Sequence, residues 1–126
     1  MTQEEKQLLL RDLCTRLAYG VKGIITYDDS NTTFTVEGID NNVLHLSDAE
    51  ECYVEDFKPY LRPMTSMTEE EEQEFNKVVF KSQDINGISA STYVSDWLIS
   101  KHFDVRGLIP MGLAIAVTED NNPYKK

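Results

Sequence analysis

His102 stands two residues before Asp104, with Ser95 and Ser100 close upstream. These are the side-chain types of a hydrolase that activates a serine hydroxyl through an acid-oriented imidazole. Such a relay needs the base within hydrogen-bond reach of both partners, which nearness along the chain does not arrange. A structural role makes fewer demands: His102 at the C-terminal end of a helix, its ring meeting the helix dipole, and Asp104 capping the turn that follows. His45 adds a second imidazole. It would join His102 and an acid in a metal site only if the fold brought them together, and two histidines without a close ligand pair are weak grounds for zinc. Glu69 to Glu72 are four consecutive acids, but consecutive helix residues point in different directions, and a calcium loop needs spaced oxygens around a glycine turn. A solvated helix start is expected there. The glycines of Gly20-Val21-Lys22-Gly23 and of residues 106–112 fit neither a dinucleotide fingerprint nor a phosphate loop. No catalytic residue, metal or cofactor is assigned.

Arg106 lies in a corner otherwise poor in charge. Its guanidinium either bridges to an acid such as Asp96 or Asp104, or offers a fork to a partner's carboxylate. Trp97, the single tryptophan, and Tyr93 are either interface anchors or core. The candidate partner-binding patch is Trp97, His102, Phe103, Asp104 and Arg106.

The elements that must position this patch follow from periodicity. Tyr93 with Trp97, and Val94 with Leu98, are four apart and share a helix face, with Ser89 or Ser91 as candidate caps. That helix cannot pass Gly107 and Pro110, and the alternation of Leu113, Ile115 and Val117 then predicts a core strand. Upstream, Thr2-Gln3-Glu4-Glu5 is a capping box opening a helix with Leu9, Leu13 and Leu17 on one stripe and Gly20 as its cap. Arg11 and Arg16 suit its C-terminal dipole. Residues 21–27 and 32–39 are β-branched and aromatic around the turn cluster Asp28-Asp29-Ser30-Asn31, followed by strands at 43–46 and 51–54. Such strands form a meander, or an SH3-like partial barrel if the sheet curls closed, with Gly23 and Gly38 at bends or close approaches. Residues 57–64 read as a proline-biased connector packing across the core. Thr68 and Glu71 form a second capping box, opening a helix with Phe75, Val78 and Val79 on its apolar face that ends before Asn86-Gly87.

A chain of 126 residues with 40% hydrophobic residues fits one domain. We expect residues 1–118 to form it and the polar residues 119–126 to be a disordered tail. The net charge of −10 argues against direct nucleic-acid binding, which needs clustered Lys and Arg. Acids outnumber bases in both halves of the chain. The start has no basic region followed by an apolar one, and no uncharged run is long enough to span a bilayer, so a soluble, cytoplasmic protein with no membrane partner is expected. Cys14 and Cys52 match no metal or redox spacing and read as reduced, buried thiols.

Residues 58–64 followed by 66–71, then Asp96-Trp97-Leu98, residues 102–109 and Gly112-Leu113-Ala114, resemble a family of small uncharacterised proteins of Bacteroidales genomes, often in prophage-like or mobile regions. Met1 to Gly20 is similar as well, and residues 24–52 match least. The resemblance implies a bacterial cytoplasmic setting and a mobile-element origin, and carries no catalytic assignment.

The expected fold is α+β: an N-terminal helix, a small antiparallel meander or SH3-like partial barrel, two further helices and a C-terminal strand. The leading functional expectation is a non-enzymatic protein–protein interaction module. Its alternatives are an acidic nucleic-acid mimic that inhibits a DNA- or RNA-binding protein, and a small hydrolase using His102 with an acid.

Overall fold

The computed structural model describes residues 1–30, 32–82 and 88–124, with side chains from residue 92 onward in the last stretch. The chain opens with α1 (Gln3–Arg16), started by the expected capping box: the Thr2 hydroxyl accepts the Glu5 N–H at 3.0 Å and the Glu5 carboxylate accepts the Thr2 N–H at 2.9 Å. A short 3-10 turn follows, closed by Gly20 in the left-handed region (φ 68°), where the missing Cβ removes the steric penalty.

Six strands then build one open sheet: β1 (Lys22–Ile25), β2 (Phe34–Asp40), β3 (Val43–Leu46), β4 (Glu51–Tyr53), β5 (Phe57–Leu61) and β6 (Ile115–Ala116). Their order is β4-β3-β2-β1-β5-β6, antiparallel except for the parallel β5–β6 pair. The two end strands, β4 and β6, do not pair, so the meander stays an open sheet and does not close into an SH3-like barrel. The α+β class stands.

The register explains several residues. β2 slips by one position against β3 between Val36 and Gly38, a bulge beside the glycine expected at a bend or close approach. Residues 57–61, expected as a connector, are instead β5, pairing with β1 and β6. Phe57, Pro59 and Leu61 are buried while Lys58 and Tyr60 are half-buried. Pro59 is tolerated because β6 pairs only from Tyr60 onward, leaving the proline beside a free edge on that side. Opposite it, Gly23 has no room for a side chain: a Cβ there would collide with the Lys58 carbonyl oxygen and the Phe57 ring. Gly23→Ala is therefore expected to cost on the order of 3 kcal/mol, read as a lowered thermal midpoint. Gly38→Ala, whose nearest neighbour would be 3.7 Å away, should change it little.

Two further helices, α2 (Glu69–Ser82) and α3 (Ile88–Ser100), pack against each other. The second capping box opens α2, with the Glu71 N–H on the Thr68 hydroxyl at 3.2 Å and the Thr68 N–H on Glu71 at 3.0 Å. Ser89 and Ser91 fall inside α3 and their side chains lie outside the described residues, as do Asn31, Asn86 and Gly87. α1 packs its buried face on the sheet, and Leu9, Leu13, Val36, Leu44, Phe57 and Leu61 are among the residues of the core between them. Leu108 and Leu113, from the corner after α3, close that core. The strand expected from Leu113 to Val117 is shorter than its pattern, because only Ile115 and Ala116 reach the β5 ladder. Among the described residues no helix is long and apolar enough to cross a membrane.

Candidate functional site

α3 ends where the chemistry was sought. The His102 N–H donates to the Ile99 carbonyl at 2.9 Å and the Phe103 N–H to the Leu98 carbonyl at 3.0 Å, the paired bonds of a Schellman ending. The residue that such an ending holds in the left-handed region is usually glycine. Here it is His102, at φ 68°, a conformation that costs a non-glycine residue about 1 kcal/mol or more. The ring takes up what the backbone loses: it stacks on Tyr124, with centroids 3.6 Å apart and planes 10° from parallel.

Tyr124 is itself fixed. Its hydroxyl accepts the Lys22 N–H at 2.9 Å and donates to the Tyr60 carbonyl at 2.8 Å. The tail expected to be disordered from residue 119 thus returns across β1 and β5 at least as far as Tyr124, held on the way by the Asn121 amide on the Ala116 carbonyl. A single aromatic with a satisfied hydroxyl outweighs the polar composition around it. Burial pushes the Tyr124 phenol up to about 12.

The segment after the helix is knitted inward. Arg62 donates its N–H to the His102 carbonyl at 2.8 Å and accepts the Asp104 N–H at 2.9 Å. The Arg62 guanidinium lies 4.2 Å over the Phe103 ring and grips Glu71 through two 2.6 Å bonds. This pairing holds the Glu71 carboxyl down at about 2 and ties the start of α2 to the end of β5. Phe103 has no accessible surface; Trp97 stacks beside it at 6.4 Å and meets Phe75 at 5.6 Å. Asp104 is buried, and its two carboxylate oxygens accept the Leu108 and Ile109 N–H groups at 2.9 and 3.0 Å. It caps the corner as expected.

The sequence-level patch is therefore taken apart. Phe103 and Asp104 face inward and present nothing to a partner. Arg106 does bridge to an acid, but to Asp12 of α1 at 2.8 Å and not to Asp96 or Asp104. Asp12 also holds Arg16, at 2.7 and 3.2 Å, and Arg16 donates to the Phe103 carbonyl at 2.7 Å. Both Asp12 and Arg16 are fully buried. Sequence reasoning read Arg16 only as a cation suited to the helix dipole, because nothing local marks an arginine whose acid sits four residues earlier as internal. Arg62 was missed as well, although a bidentate partner for a capping-box glutamate is a signal open to a search for paired charges. Trp97 and His102 remain half-buried.

What the surface keeps is an open cleft of about 700 Å³ over the His102–Tyr124 stack, with Thr68, Lys101, Glu119 and Asn122 among its walls. Burial, followed by the charges of Arg16, Arg62 and Lys22, lowers His102 from the usual 6.5 to about 4. The neutral ring is the folded form, so His102 contributes stability fully above pH 6.5 and loses it as pH falls from 6.5 towards 4. Allowing for the ring's partial exposure, that loss is about 1–2 kcal/mol. It precedes the Glu71 contribution, which is lost only as pH falls from 4.5 towards 2. Urea midpoints at several pH values should show the first slope in the native chain and not in His102→Asn, since asparagine tolerates the left-handed backbone.

His45, the other imidazole, lies on β3 and pairs across the sheet with Glu51 at 3.2 Å, and no group of three or more His, Cys, Asp or Glu able to hold a metal occurs among the described residues. Cys52 is buried, its thiol pushed up to about 11, whereas Cys14 is exposed, contrary to expectation, because it falls off the buried stripe of α1. No protein-family model matches the chain, and no curated protein or solved structure matches it.

Proposed function

We propose that this protein is a non-enzymatic protein–protein interaction module whose contact surface is the α2–α3 pair. One observation carries the reading: Phe80 on α2 is 70% exposed, and Val79 and Tyr93 of the same helix pair are exposed with it. Large apolar side chains presented on a peripheral pair of helices are what a partner desolvates. Trp97, half-buried on α3, belongs to this surface; the rest of the sequence-level patch does not. The exposed acids Glu69, Glu70, Glu72 and Glu74 precede the apolar end of α2, so the partner that fits is a protein surface with an apolar stripe beside basic residues. A cytoplasmic, bacterial, mobile-element setting belongs to the same proposal and rests on the family resemblance.

Those exposed glutamates along one helix also favour a second reading, in which the protein imitates nucleic acid. The hydrolase alternative has less support, because Asp104 spends both oxygens on backbone N–H groups and does not orient His102. Affinity capture from lysate of the protein's own host, washed at low and high salt, separates the readings. A partner retained at both salts by the native chain and lost with Phe80→Ser supports the interaction surface. A nucleic-acid-binding protein released by salt supports mimicry, and retention unaffected by Phe80→Ser overturns the assigned surface.

A further inference from the structure

We propose that the cleft over His102 is a binding site for a small organic carboxylate, taken up by the imidazole edge together with Lys101 and Asn122. This site lies apart from the α2–α3 surface, and the inference does not depend on it.

Three features of the cleft converge on an anion. The first is the ring itself. His102 Nδ1 is buried without a hydrogen-bond partner, and Nε2 has none among the described residues. A lone pair at Nδ1 suits the cations around it, which places the proton on Nε2 as a donor, on a residue that lines the cleft. Second, in a chain of net charge −10 the charges that shift this ring are those of Arg16 from α1, Arg62 from the end of β5 and Lys22 from β1. Glu71 is taken up by Arg62, and Glu119, exposed at the rim, is the one acid lining the cleft among the described residues. Third, uncommitted donors line the walls. Lys101 makes no ion pair among the described residues, its ammonium resting 6.0 Å from the Trp97 ring centroid. The Asn122 oxygen accepts the Tyr124 N–H, and its NH₂ group has no partner among the described residues.

The donors suit a carboxylate better than a phosphate. One unpaired ammonium, one amide and one neutral imidazole match a single charge on two oxygens. A phosphate's multiple charge on three or more oxygens calls for further cations, and Arg62 is already engaged with Glu71. The volume accommodates a carboxylate with several attached carbons. The strained His102 backbone fits this role, since a glycine would end the helix more cheaply but would supply no ring.

The test is an NMR titration of the imidazole resonances of the full chain with butyrate at constant ionic strength. Butyramide serves as the uncharged control and inorganic phosphate as the rival anion. Expected is a saturable shift at His102 with His45 unmoved, no response to butyramide, and a rise in the His102 titration midpoint when butyrate is bound. Lys101→Gln should weaken binding about 5- to 10-fold, while an unchanged thermal midpoint shows that the variant is folded. Absence of a saturable shift, equal shifts at His45 and His102, unaltered affinity in Lys101→Gln, or saturation by phosphate alone would each overturn the assignment.

Discussion

Asp12→Ala is expected to remove on the order of 3–5 kcal/mol of stability, a large part of the 5–15 kcal/mol that holds a domain folded. Asp12 has no accessible surface and holds two arginines: Arg16, buried as completely, and Arg106, which spans from the corner after α3 to α1. Without the carboxylate, Arg16 remains a desolvated cation whose Nη1 already lacks a partner and whose remaining contact is the Phe103 carbonyl. The cost is the uncompensated charge more than the lost pair. Replacing the pair together, as Asp12→Leu with Arg16→Met, should therefore recover more than half of the loss. Urea unfolding followed by circular dichroism measures both. A double variant as unstable as Asp12→Ala would show that the carboxylate matters through Arg106 and the corner instead.

Phe103→Ala is expected to cost about 3–5 kcal/mol, and to do so without any effect specific to partner binding. The ring is fully buried, carries the Arg62 guanidinium on one side and lies beside Trp97. Truncation leaves a cavity and frees the guanidinium that anchors Glu71. Trp97 fluorescence reports the loss directly, since it is the only tryptophan. Phe80→Ser gives the contrast: at 70% exposure it should change stability by about 0.5 kcal/mol or less while abolishing capture. Phe103→Ala that kept full stability but lost a partner would restore Phe103 to the interface.

The same residues show why a local reading divides as it does. Both capping boxes, the Gly20 ending and the Asp104 turn are encoded within a few residues, and each forms as its spacing implies. Strand 57–61 was hidden because Pro59 argues against a ladder unless one side is free, and only the position of β6 supplies that. The inward roles of Arg16 and Arg62 were missed because an arginine's burial depends on what lies across from it, 87 residues away for the Phe103 carbonyl that Arg16 reaches. Tyr124 was lost in a polar tail because its three backbone contacts lie on β1 and β5.

The sequence by itself determined the α+β class, the starts of α1 and α2, the Gly20 ending and most of the strands, because propensity, capping and periodicity act between near neighbours. Tertiary structure alone decided that the sheet stays open and that Phe103 and Asp104 turn inward. It also brought His102 and Tyr124 together at the base of a cleft. Those outcomes depend on which distant surfaces meet, and the burial and pairing energies that select them exist only once they have met.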